Sequence, residues 1–192
     1  MENMPNYRAV LFVSRNKDNK DVDNFVQRTR TFLTTKEPND LMCRFAEFCS
    51  GGVVGEYSRF YISVNEFDHD KIRTRLQAHL LYHPETDLSK LESKLVALAQ
   101  ENKNSYSCNA TKRFLLDYDS TEGIEEFVED VKRMVDNANV IVQTTPNGYA
   151  VVTEHGFDTR ELLEKYPFVS LHRQGQLFIT GGYTDGSKSF TL

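Results

Sequence analysis

The chain has 192 residues, of which 39% are hydrophobic and 27% are charged, and this composition is that of an ordinary globular protein. Its formal net charge is -5, so strong binding of nucleic acid without sequence preference would require a local basic patch. No apolar run approaches the length of a transmembrane helix, and the first residues lack the charged and apolar regions of a signal peptide. We therefore expect a soluble, cytoplasmic protein without membrane contact.

The cysteines and histidines show neither disulfide nor metal-ligand spacing. His69, His79 and His83 form no such pattern with a cysteine or a carboxylate, which favours surface or helix-capping histidines. The three cysteines are an odd number without CxxC spacing, and they favour reduced thiols over a disulfide framework. They are Cys43, Cys49 and Cys108.

Residues 1–110 are predicted to form an N-terminal α/β part. Apolar side chains recur at helical spacing between residues 21 and 34, which predicts a helix there. Residues 41–49 suit a helix and almost equally a strand. The clearer patterns predict strands at residues 7–14 and 59–65, and helices at residues 70–82 and 87–100.

A polar segment rich in Asn and Ser, residues 101–111, predicts a loop that divides the chain into two parts. The second part, residues 111–192, shows the order strand, helix, hairpin, helix, hairpin. This order is close to the ferredoxin-like arrangement of RRM domains, in which two helices cover one face of an antiparallel sheet. The predicted segments are a strand at 113–118, a helix of about four turns, strands at 139–144 and 149–154, a short helix before Pro167, and strands at 168–173 and 176–180.

The fold class that we expect is therefore α+β. An RRM-like antiparallel sheet with its helices on one face forms the core, and the N-terminal part packs against it. The two parts together form a single domain over residues 1–192.

Two carboxylates, Asp117 and Asp119, directly follow the apolar run 114–116. In an extended chain this i, i+2 spacing places both side chains on one face of the sheet. Neighbouring carboxylates raise each other's pKa, and a divalent cation such as Mg²⁺ or Mn²⁺ removes that penalty. The alternative is a strand that ends in turn residues, with Asp119 or Ser120 capping the next helix.

Three blocks in fixed order then resemble a known family. They are residues 59–65 (RFYISVN), the strand FLLDYD, and residues 144–152 (TTPNGYAVV) with Phe157-Asp158 after them. Together they resemble the archaeo-eukaryotic primase-polymerase superfamily, particularly its small phage-encoded members, over most of the chain from Arg59 onward.

The resemblance implies an RRM-like catalytic core. By this resemblance Asp117 and Asp119 are the acids that hold Mg²⁺ or Mn²⁺ for nucleotidyl transfer. It also implies contacts to the incoming nucleotide from residues in the other two blocks and near residue 172. We assign these contacts to Arg59, Thr145, Asn147, His172 and Arg173.

Two positions depart from the family pattern. Ala150 stands where the family has a histidine that contacts phosphate, and Gln174 stands at or near the third acid. Two-metal transfer needs both groups, because the metals require carboxylates and the triphosphate requires a cationic or hydrogen-bonding partner. We therefore expect a protein that binds a nucleotide or nucleic acid, with nucleotidyl transfer weakened or lost. The candidates for a replacement acid are Glu154, Asp158 and Glu56.

Two other classes of function compete with this interpretation. The sequence from Asp117 to Thr121 also fits the DxDxT signature of haloacid-dehalogenase-like phosphatases, which requires a parallel sheet. The second class is a non-catalytic binding module, either for a protein partner or for single strands stacked on open-face tyrosines. The tyrosine candidates are Tyr61, Tyr118 and Tyr149.

Overall fold

The computed structural model describes residues 5–101, 108–136 and 139–185, and these residues form a mixed α+β structure with two four-stranded sheets. The strands are β1 (Arg8–Ser14), β2 (Arg28–Thr34), β3 (Tyr57–Ser63), β4 (Phe114–Tyr118), β5 (Val140–Thr145), β6 (Gly148–Thr153), β7 (Val169–His172) and β8 (Gln176–Tyr183). The helices are α1 (Met42–Ser50), α2 (His69–Tyr82), α3 (Leu91–Gln100), α4 (Ile124–Met134) and α5 (Arg160–Lys165). None of the helices in this described part is long and apolar enough to span a membrane.

The chain divides into two compact units. The first contains the described residues of Met1–Ile62, Phe67–Cys108 and Phe178–Leu192, and the second contains Ser63–Glu66 and Asn109–Leu177. The sheet order is β2-β1-β3-β8 in one sheet and β5-β6-β4-β7 in the other. The last strand, β8, therefore begins in the second unit and continues in the first.

In the first unit, β1 pairs antiparallel with both β2 and β3. Phe12 of β1 lies opposite Phe60 of β3 and contacts Phe45 of α1 with ring centroids 5.3 Å apart, so α1 covers this face. Ala9 has the opposite parity and packs against α2 and α3 through Ile72 and Val96. Alternating apolar side chains on β1 thus fill two layers of core, one on each side of the sheet.

The prediction of a helix over residues 21–34 is wrong, because residues 28–34 form β2 and pair with β1 along their whole length. The helical spacing depended on Val22 and Val26, and Val26 is 71% exposed. Thr29, Thr31 and Thr34 are β-branched and favour a strand, which has a ready neighbour in β1.

Most other elements of the first unit are confirmed. The strands at residues 7–14 and 59–65 appear as β1 and β3, and the ambiguous segment at residues 41–49 is the helix α1. The helix at residues 70–82 is α2, and the helix at residues 87–100 begins with a 3₁₀ turn before α3. In the polar loop predicted at residues 101–111, residues 102–107 lie outside the described part of the chain.

In the second unit, β4 pairs antiparallel with β6 on one side and with β7 on the other. Both helices, α4 and α5, pack on one face of this sheet. The shared core contains side chains of β4, β6, β7 and the two helices. Its buried members are Leu116, Tyr118, Ile124, Phe127, Val131, Val151, Leu162, Tyr166 and Val169.

The predicted hairpin between residues 168–173 and 176–180 is wrong. Strand β7 pairs with β4, with Leu116 opposite Leu171, whereas β8 belongs to the other sheet. The turn between them, at Gly175, packs on Leu115, where an added Cβ would lie 2.5 Å from a methyl carbon. Local turn chemistry therefore predicted a pairing that the tertiary neighbours of β7 override.

A buried carboxylate, Asp130, ties α4 to α5. Its Oδ2 accepts hydrogen bonds of 2.7 Å from Lys165 Nζ and 2.7 Å from Tyr166 Oη, and Arg133 donates to Oδ1. The side-chain hydrogen bonds from Lys165 and Tyr166 lower the pKa of Asp130 below its usual value. The charged form of Asp130 therefore stabilises the packing of the two helices.

We predict that Asp130→Asn lowers the free energy of unfolding at pH 7 by about 1.5 kcal/mol, the lower end for hydrogen bonds to a charged group. The lower end applies because Lys165 is 51% exposed and its ion pair is screened by water. The Asp130 carboxyl binds a proton more readily in the unfolded chain than in the folded chain. Its contribution to the free energy of unfolding is therefore complete above about pH 4. It disappears as the pH falls through the lower pKa of the folded state.

Urea unfolding of both proteins at pH 7 and at acidic pH measures this effect. The matched control is Glu129→Gln on the same helix, since Glu129 is 65% exposed and forms a surface ion pair with Lys132. A difference between wild type and Asp130→Asn that persists undiminished in acid would contradict the charge-based explanation.

Candidate functional site

Asp117 is half-buried and lies on the face of the second sheet opposite α4 and α5. We call this the uncovered face only because neither of these two helices packs on it, although several of its apolar side chains are buried. The neighbours of Asp117 on β4, Leu116 and Tyr118, have the opposite parity and point into the core under the helices. Directly across from Asp117 are Ala150 on β6 and Ser170 on β7. Opposite residues of antiparallel strands project to the same side, so these three side chains share the uncovered face.

Part of this face is apolar and part is polar. Leu115, Ala150 and Val152 form a small buried cluster with Val64, and Leu177 packs against it. The polar part continues from Asp117 across Ala150 to Gln143 on β5, which pairs with Ala150. A strip of polar side chains from three strands therefore borders an apolar cluster, and Asp119 follows directly beyond the end of β4.

The hairpin between β5 and β6 lies against the end of β4. Thr145 pairs with Gly148 across a two-residue turn of Pro146 and Asn147. A Cβ on Gly148 would lie 2.1 Å from the carbonyl oxygen of Tyr118, so only glycine permits this approach. Thr145 and Asn147 are therefore held at the same end of the sheet as Asp119.

The ends of β4 and β7 are joined by the buried side chain of Asn65. Its Nδ2 donates to the carbonyl oxygens of Arg113 (2.9 Å) and Arg173 (3.0 Å). Its Oδ1 accepts from the amide nitrogen of Arg113 at 2.7 Å and from Thr111 Oγ1 at 3.0 Å. The sequence does not predict this role of Asn65, because nothing in a strand pattern indicates which polar side chain will be buried with its hydrogen bonds formed.

His172 and Arg173 take different positions. His172 lies opposite Leu115 on the uncovered face, two residues from Ser170, and it is exposed. The guanidinium of Arg173 lies 5.7 Å from the ring centroid of Phe114, whose parity is that of the helix-covered face. The structure therefore brings His172, but not the side chain of Arg173, to the face that carries Asp117.

Arg59 belongs to the first unit, where it is engaged with other side chains. Its Nη2 lies 2.7 Å from Asp18 Oδ1, and its guanidinium lies 5.4 Å from the ring centroid of Tyr57. Burial raises the pKa of Asp18, but hydrogen bonds from Arg15 and Arg59 outweigh it and hold that pKa below its usual value. The predicted nucleotide contact of Arg59 would have to compete with this ion pair.

The three candidates for a third carboxylate are each engaged elsewhere. Glu56 is buried in the first unit with Arg28 Nη2 at 2.5 Å, Glu154 accepts from Asn139 at 3.2 Å, and Asp158 pairs with Arg160. Gln174, at the position of the family's acid, donates to Asn109 at 2.9 Å. In the described ranges, no three or more His, Cys, Asp or Glu side chains form a group that could hold a metal ion.

Of the tyrosine candidates for base stacking, Tyr118 is buried, and Tyr61 and Tyr149 are half-buried. Tyr118 is 2% exposed, and its hydroxyl donates to the carbonyl oxygen of Glu122 at 2.6 Å. Tyr149 packs against the same core under the helices. Tyr61 lies in the other sheet, 5.6 Å between ring centroids from Phe178. Tyr118 is therefore wrong as a stacking residue, because it has the parity of the core face.

Comparison with known proteins finds no matching family model, no matching curated protein and no matching solved structure. The arrangement of β4 nevertheless bears on one alternative. The DxDxT phosphatase signature requires a parallel sheet, whereas β4 is antiparallel to both of its neighbours. The phosphatase interpretation therefore loses its structural basis.

We predict that Gly148→Ala lowers the free energy of unfolding by about 1–3 kcal/mol, as overpacking against backbone does. The new methyl group would meet the Tyr118 carbonyl oxygen and, at 2.9 Å, the Ser120 amide nitrogen, and neither backbone atom can rotate away. Chemical denaturation measures the loss, and amide NMR shifts at residues 118–120 report the displacement next to Asp119.

Gly182→Ala is the matched control, since its nearest neighbours would lie at 3.6 Å, an ordinary contact distance. We expect its effect to stay within about 0.5 kcal/mol. Equal stability of the Gly148→Ala variant and wild type would show that the hairpin does not rest on the end of β4.

Proposed function

We propose that the second unit is an RRM-like domain of the primase-polymerase kind that binds a nucleotide or nucleic acid on its uncovered sheet face. The element order β4-α4-β5-β6-α5-β7 supports this proposal, because it is the strand-helix-strand-strand-helix-strand order of ferredoxin-like folds. The packing of both helices on one face supports it as well.

The observation that carries the proposal is the position of Asp117. It stands on a central strand, between Ala150 and Ser170, on the face opposite α4 and α5, and Asp119 follows at the strand end. A divalent cation with hard oxygen ligands, Mg²⁺ or Mn²⁺, is the partner that offsets two adjacent carboxylates. Phosphate oxygens of a nucleotide would complete the coordination of that ion, as they do in many sites with few protein ligands.

The neighbouring polar groups fit the role of phosphate or sugar contacts. Thr145 and Asn147 lie at the hairpin beside the end of β4, and His172 lies on the same face as Asp117. Arg59 and Arg173 are committed to Asp18 and to the Phe114 ring, so we assign them no contact. Ala150 offers no hydrogen bond to a triphosphate.

Binding without efficient turnover is the function that this set of groups supports best. Two-metal nucleotidyl transfer requires several carboxylates to offset the four positive charges of the metal ions. In the described part of the chain, the acids assigned to this site are two, Asp117 and Asp119. One loosely held cation then bridges protein and phosphate. The proposed activity is therefore metal-assisted binding, with nucleotidyl transfer weakened or lost.

A second candidate function is the binding of a protein partner along β5. This strand is at the edge of its sheet, and Ile141 and Val142 are 55% and 42% exposed. An unprotected edge with exposed β-branched residues can accept an additional strand from another chain. Such a partner would not depend on Asp117, and this distinguishes the two candidates.

We predict that Asp117→Asn and Asp119→Asn each weaken the binding of a Mn²⁺–nucleoside triphosphate complex by at least about tenfold, a loss typical even of groups outside the metal's direct ligands. Each change removes one of the two negative charges that hold the cation. Isothermal titration calorimetry measures the affinity, and Mn²⁺-induced broadening of the amide signals of residues 117–120 locates the site.

Asp23→Asn, which removes an exposed carboxylate of the first unit, is the control and should bind as wild type does. Primer extension with a labelled nucleotide tests turnover separately, and we expect none. Undiminished binding by both Asp117→Asn and Asp119→Asn would refute the site. Extension that both variants abolish would instead show that a further group completes a two-metal centre.

A further inference from the structure

The connection between α2 and α3 in the first unit borders an open surface cavity of about 410 Å³ that the proposed function does not use. Two histidines line it, His79 on the last turn of α2 and His83 directly after that helix. Their ring centroids are 4.6 Å apart. His83 is the residue that ends the helix and has a non-helical backbone, so the short distance between the rings, and not helical spacing, places the two imidazoles side by side.

The hydrogen bonds of Thr86 fix the tautomer of His79. The Thr86 hydroxyl donates its single hydrogen to the carbonyl oxygen of His83 at 2.7 Å. The same oxygen lies 3.2 Å from His79 Nε2, and it can only accept there, so Nε2 carries the hydrogen. The lone pair of a neutral His79 is therefore on Nδ1.

His83 has the complementary arrangement. Its Nδ1 lies 3.4 Å from Glu85 Oε1, and an ionised carboxylate only accepts hydrogen bonds. This neighbour favours the tautomer with the hydrogen on Nδ1 and the lone pair on Nε2. In metal sites, a ligating histidine characteristically donates its other ring N–H to a carboxylate or another oxygen, which orients the ring and raises its basicity.

We propose that His79 and His83 bind a borderline transition-metal ion such as Zn²⁺, Ni²⁺ or Cu²⁺, with Thr86 and Glu85 as the groups that orient the two imidazoles. Neutral imidazole suits these ions rather than Mg²⁺ or Ca²⁺. The described residues offer no group of three His, Cys, Asp or Glu ligands, so water completes the coordination sphere. The fixed charges that line the cavity cancel, with Glu85 and Asp87 opposite in sign to Lys90 and Lys94.

The experiment is a calorimetric titration of the full-length Cys43→Ser protein with ZnCl₂ in a buffer that does not coordinate zinc. The background change removes the exposed thiol, which would otherwise compete for the ion. We expect His79→Ala and His83→Ala each to lower the affinity for Zn²⁺ by more than about tenfold. Thr86→Val keeps both imidazoles and removes only the orienting oxygen, so we expect a loss of about tenfold.

His155→Ala is the matched control, because His155 is exposed and belongs to the second unit. It should bind Zn²⁺ as the background protein does, and Mg²⁺ should not compete. Retention of affinity in both His79→Ala and His83→Ala would overturn the proposal, as would an equal loss in His155→Ala. Binding of inorganic phosphate with higher affinity than Zn²⁺ would also overturn it, since the cavity would then be an anion site. Asp117→Asn should leave the binding of Zn²⁺ at His79 and His83 unchanged. The zinc proposal and the nucleotide site can therefore fail independently.

Discussion

The buried carboxamide of Asn65 is the constraint on which the geometry of the second unit depends. It follows β3 by two residues, and its four hydrogen bonds reach Thr111, Arg113 and Arg173. A buried amide with unmet hydrogen bonds costs about 1–3 kcal/mol for each group, so this network holds only one alignment of these segments. That alignment places β7 beside β4 with Asp117 opposite Ser170.

This alignment divides the sheet into a structural face and an uncovered face. Leu116 and Tyr118 anchor the helix-covered core, and Asp117 between them projects to the other side. Because side chains alternate between the two faces of a strand, the positions of Leu116, Asp117 and Tyr118 are fixed together. A shift of the strand by one residue would bury Asp117 under α4. The hairpin at Gly148, which lies on the end of β4, opposes such a shift.

Charge balance limits which acids could serve a metal site. Two of the three candidates for a third carboxylate are paired with arginines, Glu56 with Arg28 and Asp158 with Arg160. A carboxylate in such an ion pair would have to leave its arginine in order to bind a metal. The free-energy cost would be largest for Glu56, because its ion pair is buried. The hydrogen bond of Gln174 to Asn109 likewise has a structural role. The proposed cation site therefore depends on Asp117 and Asp119 at the end of β4.

The sequence by itself determined the strongly periodic elements and the position of the two carboxylates at the end of β4. Helices α2 and α4, the strand FLLDYD and the hairpin at Pro146-Asn147 follow from local periodicity and turn residues, which act over a few neighbours. Only the tertiary structure decided that residues 28–34 form the strand β2, that β7 and β8 belong to different sheets, and that Tyr118 is buried. Each depends on which strand lies alongside, and long-range pairing overrides local preference because it satisfies backbone hydrogen bonds and buries a face at once. The same reason kept the roles of Asn65 and Gly148 out of reach of the sequence, since these roles exist only where distant segments meet.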